Sequence, residues 1–372
     1  MRDLRETSQV RSSPVSDRSA PPRRANVIGL GLIGGSVALS LRTQGWHVSG
    51  DDVDRPTADA ALDRGVIDDL GIDADAEITF VAVPVLAAAD QVKRALAETN
   101  GAVTDVGSVK AAICASATDT RFVGGHPMAG SELDGLDGAQ SDLFEGAVWV
   151  LTPGPDSDDA VFAQVATVVA SLGAEVVALS PERHDQLVAV VSHVPHLTAA
   201  TLMGLASERA EEHAALLRLA AGGFRDMTRV ASGRPAIWLD ICAENRSAIV
   251  SVLDQLIDGL GEMRDIIRTD DRDALHARLT AARQARVNLP VRVVHPDELS
   301  EVRIPIPDRA GAAAEVFTLA AELSVNIASF EVVHVAESTR GVAVVLVDRA
   351  MVELFRGGLL ARGFRPAVQS LS

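Results

Sequence analysis

The sequence predicts an α/β chain: a doubly wound, mostly parallel sheet, then an all-helical stretch, then a small α+β unit. Three observations carry this reading. A glycine-rich strand-to-helix turn opens the regular part of the chain at 25–36. Strand-like and helix-like segments alternate from there to about 180, after which the strand pattern disappears as far as about 289. Residues 301–372 then return to strands, in the order βαββαβ.

The first 24 residues stand apart. Six Arg (2, 5, 11, 18, 23 and 24) face three acids (Asp3, Glu6 and Asp17), Ser and Pro are frequent, and no apolar periodicity is visible. The segment lacks the apolar core of a secretory signal. An Arg/Ser-rich transit peptide fits it; a disordered tail or a start codon placed too early fits it better. The whole chain is acidic, with 34 Lys+Arg against 51 Asp+Glu and a net charge of −17. Such a surface repels nucleic acid and anionic membranes, so neither is an expected partner. No uninterrupted apolar run reaches the roughly 18 residues that span a bilayer. A hydrophobic content of 47% supports a sizeable core. Cys114 and Cys242 lie far apart with no metal-type spacing, as reduced thiols of a cytoplasmic protein would. Tyrosine is absent, which reads as drift in an Ala/Arg/Asp-rich composition.

The elements follow in order. The run ANVIGLGLIGGS at 25–36 gives a strand at 26–29, then Gly29-x-Gly31-x-x-Gly34, then an apolar helix at 35–43. This is a Rossmann-type dinucleotide turn. Gly29 allows the tight turn, Gly31 lets backbone approach a pyrophosphate, and Gly34 lets helix and strand pack closely. The helix N-terminus offers free N–H groups to phosphate. Leu32 and Ile33 in the loop, and Val83 and Pro84 at the end of strand 77–83, are assigned to the same cleft. A second strand, 47–51, leads into Asp52, 23 residues after Gly29, about where an acid meets the adenosine ribose diol. That favours NAD. Arg55 nearby is the residue type that holds an NADP phosphate, so NADP stays open.

Further strands are expected at 102–105, 121–124, 147–151 and 174–178, with helices at 85–98 and 158–171, making 25–180 one dinucleotide-binding domain. Residues 181–290 read as helices at 184–205, 208–220, 237–260 and 272–286. The segment 237–260 is apolar over much of its circumference and so belongs in a core or a subunit interface, which points to a homodimer. Pro290 and the polar 295–300 form a linker. The unit 299–372 carries strands at 301–306, 326–335, 341–347 and 365–370 and helices at 310–323 and 351–361, a ferredoxin-like order.

Four motifs carry chemistry. DVGSVK at 105–110 ends a strand of the presumed sheet, where ligands bind; Ser108 offers a hydroxyl to a substrate or a ribose, or forms a capped Gly-Ser turn. GGHPMAGSE at 124–132 holds His126 on a loop after a strand, fit to accept a proton as hydride leaves an alcohol, or to be an ordinary turn histidine. SHVPH at 192–196 puts His193 and His196 three apart on one helix face. No further Cys or His cluster completes a metal site, so one histidine binding an anionic substrate is the better reading and no metal is expected. GGFRDMTR at 222–229, followed by Trp238, offers Arg225 and Arg229 as a carboxylate clamp or a solvated helix end.

Taken together, and in this order, GLGLIGGS, DVGSVK, GGHPMAGSE, SHVPH and GGFRDMTR resemble the prephenate dehydrogenase family over about 25–290. The resemblance implies NAD-dependent oxidative decarboxylation of prephenate to 4-hydroxyphenylpyruvate, or the same chemistry on arogenate. It implies that His126 is the general base, that Ser108 assists at the hydroxyl, and that His196 and Arg229 hold substrate. It further implies that Glu132, Arg225 and Asp226 form an ionic gate between subunits and that Trp238 lines the site. A non-catalytic sensor of NAD and an amino acid is a rival that gives His126 no special role. Residues 301–372 are similar to an ACT domain, with Asp308, Gly311, Asn326 and Ile327 where such modules hold an effector, here tyrosine or phenylalanine. Ala310 stands where many relatives carry Pro.

Overall fold

The computed structural model describes residues 21–130, 133–210, 219–287, 299–307, 311–334 and 340–370. The first domain runs β1 (Arg24–Ile28), α1 (Leu32–Thr43), β2 (His47–Asp51), α2 (Arg55–Asp63), β3 (Asp69–Leu70), β4 (Ile78–Val81), α3 (Val85–Glu98), β5 (Ala102–Asp105), α4 (Ala111–Ser116), β6 (Phe122–Pro127), β7 (Val148–Thr152), α5 (Asp159–Ser171) and β8 (Glu175–Ala178). The strands form one sheet in the order β3-β2-β1-β4-β5-β6-β7-β8. β1 to β6 run parallel, β7 is antiparallel to β6, and β8 is parallel to β7. The first six strands thus have the doubly wound nucleotide-binding order.

Mostly apolar strands such as Ile78–Val81 are favoured because both faces of this sheet are covered. Neighbouring residues feed opposite cores. Val27 and Phe80 join α1, α2 and α5 on one face through Val37, Leu41, Ala61 and Val165. Ile28 and Val81 join α3 on the other through Ala88, Val92 and Ala95. The strand period of two thereby becomes two layers of helices. β1 begins at Arg24, inside the expected 1–24 tail; residues 1–20 lie outside the described set. The short elements β3, α2 and α4 were not anticipated, being too brief to show a period.

The helical half comprises α6 (Pro181–Val188), a π-helical turn at Ala189–His193, α7 (Val194–Ala210), α8 (Gly222–Thr228), α9 (Pro235–Glu244), α10 (Arg246–Arg268) and α11 (Arg272–Val287). Most of the expected helix 208–220 falls outside the described residues. Two expectations need correction. The helix expected at 237–260 is two helices, parted at Asn245, whose backbone leaves helical geometry and whose side chain is drawn inward. Pro181–Arg209 is long and apolar enough to cross a bilayer by length and composition, holding an 18-residue window with a mean hydropathy of 1.4. A count of uninterrupted apolar residues overlooks it because His184, Asp185, His193 and His196 interrupt the run. Those four are buried here, and a shared core of Val109, Ala189, Val194, Ile241 and Ile249 ties the helix to the first domain.

The C-terminal unit runs β9 (Leu299–Pro307), α12 (Ala312–Glu322), β10 (Ile327–His334), β11 (Arg340–Asp348), α13 (Val352–Ala361) and β12 (Ala367–Ser370). Its four-stranded sheet has the order β10-β11-β9-β12, antiparallel throughout. Val302, Ile304, Ala343 and Val345 pack there against Val316, Leu319, Phe355 and Leu359 of the two helices.

Candidate active site

The site is built where the carboxyl ends of β1, β4, β5 and β6 meet α6 and α7. The glycine loop meets the steric demands its motif implies. Gly29 has φ +92°, and a methyl there would lie 2.3 Å from the Ala82 carbonyl oxygen. One at Gly34 would lie 1.8 Å from the Gly29 carbonyl oxygen. Gly31 differs: among the described residues, none beyond its own chain neighbours and helix backbone places an atom within 4 Å of where its methyl would be. It caps α1 with no side-chain partner, so the first N–H groups of the helix face open space. Close packing behind the loop and room in front of it fit a pyrophosphate. Val83 leans on Gly29, and Pro84 caps α3.

At the ribose end, the Leu30 N–H donates to Asp52 at 2.7 Å and the Asp54 N–H at 2.8 Å, fixing that carboxylate beside the loop. The adjacent Asp51 is committed to Arg94 at 2.7 Å. Arg55 is engaged with Asp59 at 2.9 Å along α2, an exposed pair one turn apart.

His126 ends β6, and the β1-β4-β5-β6 order sets it three strand spacings, about 14 Å, from the glycine loop strand. Its position is secured from below. Asp105 at the end of β5 accepts from the Gly125 N–H at 3.1 Å and the Gly107 N–H at 2.8 Å. Fully buried Lys110 pairs with Asp105 and donates to the Gly125 carbonyl at 2.8 Å. Ser108, half-buried, lies in the turn between those two residues. His126 Nδ1 lies 2.8 Å from His184 Nε2, and His184 Nδ1 lies 2.8 Å from Asp185. Burial first, then the neighbouring His184, Lys110 and His193, holds the His126 imidazole well below its usual pKa. A neutral imidazole therefore sits near the end of a sheet strand.

His193 and His196 do share a face, and both meet Trp238. His196 stacks on its indole with centroids 3.5 Å apart, and His193 meets it edge-on at 6.1 Å. Asn245 Nδ2 donates to the Asp185 carbonyl at 2.8 Å, which identifies it as the amide nitrogen, and it also lies 3.2 Å from His193 Nδ1. Burial pushes the His193 pKa down to about 4. Burial also lowers that of His196, partly offset by its hydrogen bond to the Val230 carbonyl. The π turn that carries His193 precedes Pro195, which has no N–H to give a regular helix.

Arg229 follows α8 in a short 3₁₀ turn, one residue from the Val230 carbonyl that touches His196. Arg225 and Asp226 are exposed on α8, and the Arg225 guanidinium donates to the Ala220 carbonyl at 3.3 Å. Glu132 lies outside the described residues. The regulatory set does not gather within one copy. Gly311, left-handed at φ +89°, follows the Pro307 end of β9. Asn326 and Ile327 lie at the other end of that sheet, where Ile327 opposes Val347 and Val347 opposes Ser300. Asp308 lies outside the described residues. Sequence reasoning missed Lys110, His184, Asp185 and Asn245 as parts of the site. Lys110 was within reach, being the last residue of a quoted motif; the other three show no local signal.

Comparison with known proteins agrees with this geometry. The family model for the nucleotide-binding domain of prephenate dehydrogenase matches residues 37–178, and that for its dimerization domain matches 180–281. Prephenate dehydrogenase of Bacillus subtilis is 33% identical over 331 residues, covering 84% of this chain and 89% of the relative. A crystal structure of prephenate dehydrogenase from A. aeolicus, in complex with hydroxyphenyl propionate and NAD+, superposes with a TM-score of 0.68 at 29% identity, covering 73% of this chain and 100% of that one. Synechocystis arogenate dehydrogenase gives a TM-score of 0.63 at 32% identity, covering 71% of this chain and 98% of that one. The chain belongs to the prephenate dehydrogenase family.

Proposed function

We propose that this chain is an NAD-dependent oxidoreductase that converts prephenate to 4-hydroxyphenylpyruvate and CO2. The observation that carries the reading is His126: a buried, neutral imidazole at the end of β6, in the sheet whose β1 carries the dinucleotide loop. NAD, when bound along that loop, supplies the hydride acceptor. His126 accepts the C4 hydroxyl proton while Ser108 hydrogen-bonds the same oxygen. His196, stacked flat on Trp238, and Arg229 hold the carboxylate-bearing side chain. Loss of the ring carboxylate as CO2 makes the ring aromatic and the step effectively irreversible. The fixed Asp52 carboxylate and the Arg55–Asp59 pair support NAD over NADP.

The test mixes purified protein with NAD or NADP and prephenate or arogenate, and follows absorbance of the reduced cofactor. NADH formation with prephenate is expected. His126→Asn should cut turnover by about 10²-fold or more while NAD still binds; wild-type turnover in that variant would end the general-base assignment. The likeness to an arogenate dehydrogenase favours arogenate as the second substrate to try.

Two further parts belong to this reading. The helical half pairs two copies into a homodimer, with Glu132, Arg225 and Asp226 as the gate between them. An apolar groove of about 450 Å³, lined by Val190, Val194, Leu202, Met227, Val252 and Leu256, and the exposed Ile257 and Leu260 support this. The C-terminal unit is an ACT-like regulator of this cytoplasmic enzyme, binding tyrosine or phenylalanine. Because Gly311 and Asn326 lie at opposite ends of one sheet, an effector touching both would sit between two units. Inhibition that survives truncation at Pro290 would remove this assignment.

A further inference from the structure

We propose that His184 and Asp185 are positioning residues for His126: Asp185 orients His184, and His184 holds His126 as the Nδ1–H tautomer, so that Nε2 is the nitrogen that takes the substrate proton. The inference deepens the general-base reading of His126 and rests on it.

The chain of donors and acceptors points to one pair of tautomers. Asp185 is almost fully buried and receives three donors. Its Oδ1 accepts from the Lys110 N–H at 2.8 Å and lies 2.8 Å from His184 Nδ1, and its Oδ2 accepts from the Ala111 N–H at 2.9 Å. A carboxylate so surrounded is an acceptor only, so the proton on His184 Nδ1 points to it. A neutral His184 then has its lone pair on Nε2, and the 2.8 Å contact to His126 Nδ1 is a hydrogen bond donated by His126. The two rings cross at 72° with centroids 5.0 Å apart, as an in-plane hydrogen bond from one to the other permits. His126 is left with an unprotonated Nε2. Without His184, nothing in this chain of contacts selects that tautomer, and the alternative carries its proton on Nε2 and cannot accept the substrate proton there.

Charge around the trio favours the same state. Among the described residues, Lys110, paired with Asp105, and His193, bonded to Asn245, are the other titratable groups that act on His126. Both disfavour a resting positive charge on His126. Asp185, by contrast, steadies the array once a proton has arrived. The step balances: the C4 O–H bond of the substrate breaks as an Nε2–H bond forms on His126, its electron pair forms the C4=O bond, and the C4–H bond breaks as hydride passes to the NAD that the glycine loop would hold.

The test compares His184→Leu with His184→Gln. Leucine cannot accept from Nδ1, whereas the glutamine amide oxygen can. His184→Leu should lower kcat by about 10²-fold with KM for both substrates within about threefold of wild type, and His184→Gln should recover most of that loss. Equal loss in both variants, or wild-type kcat in His184→Leu, would overturn the proposal. Nitrogen-15 NMR of the histidine-labelled wild-type protein tests it without mutation. His126 should show a protonated Nδ1 and a bare Nε2; a protonated Nε2 refutes the positioning role. The general-base reading itself fails by a different result, wild-type turnover in His126→Asn.

Discussion

Gly31 and Gly34 make opposite demands of the same loop, and alanine at each separates folding from cofactor binding. At Gly34 the new methyl would lie 1.8 Å from the Gly29 carbonyl oxygen and 3.0 Å from Ala82 Cβ. Real side chains do not approach below 3.0 Å, so backbone must move by about 1.2 Å. Overpacking of that kind costs about 1–3 kcal/mol, here at the strand-to-helix turn that centres the sheet. At Gly31 the methyl meets no atom within 4 Å among the described residues beyond its chain neighbours and helix backbone, and the backbone, at φ −78°, admits alanine. The folding cost is then the loss of a favourable N-cap residue, under about 1 kcal/mol. The methyl instead occupies the space of the pyrophosphate. Loss of one charge-assisted backbone hydrogen bond to phosphate, about 1.5–3 kcal/mol, weakens NAD about 10- to 100-fold. Urea unfolding and NAD titration by tryptophan fluorescence read the two effects apart. Wild-type NAD affinity in Gly31→Ala would refute the assignment of that space, and unchanged stability in Gly34→Ala would refute the packing argument.

Two other outcomes follow from buried charge. Lys110→Met strands the Asp105 carboxylate and the Gly125 carbonyl in a dry site, so stability to urea should fall by about 3–5 kcal/mol; a loss below about 1 kcal/mol would show that the pair contributes little. Acid should destabilise the fold through His193. Its pKa falls from 6.5 unfolded to about 4 folded, so the unfolded chain binds more protons between those values and stability rises with pH across that window. The full contribution, about 3 kcal/mol, is present above pH 6.5 and is lost on descending towards pH 4. His193→Gln should flatten that slope, and an unchanged slope would assign the acid sensitivity elsewhere.

What was legible in the sequence is what local chemistry writes locally. The glycine loop declares itself because each glycine answers a steric demand within a few residues of it or at the adjacent strand. The central strands of the first domain are legible because a sheet covered on both faces favours mostly apolar runs such as Ile78–Val81, and α3 is expected at its observed bounds because its apolar stripe repeats at 3.6 residues. Ser108, His126 and His196 are candidates in the sequence because their motifs end strands or carry unusual spacing, and Trp238 because the family resemblance implies it. The split at Asn245 was not legible: the apolar pattern runs straight through it, and what turns the chain is an amide reaching Asp185 and His193, 60 and 52 residues away.

The same division holds for the site as a whole. The sequence by itself determined a glycine-rich strand-to-helix turn, an acid after the second strand, a histidine in a motif at a strand end and a helical half after the sheet. Tertiary structure alone decided that His184, 58 residues from His126, is its hydrogen-bond partner, and that Asp185 both orients that partner and anchors the turn after β5. It also set Gly311 and Asn326 at opposite ends of their sheet. The physical reason is that a hydrogen bond needs two groups about 2.8 Å apart, and packing α6 against the strand ends fixes that distance. No period along the chain encodes it.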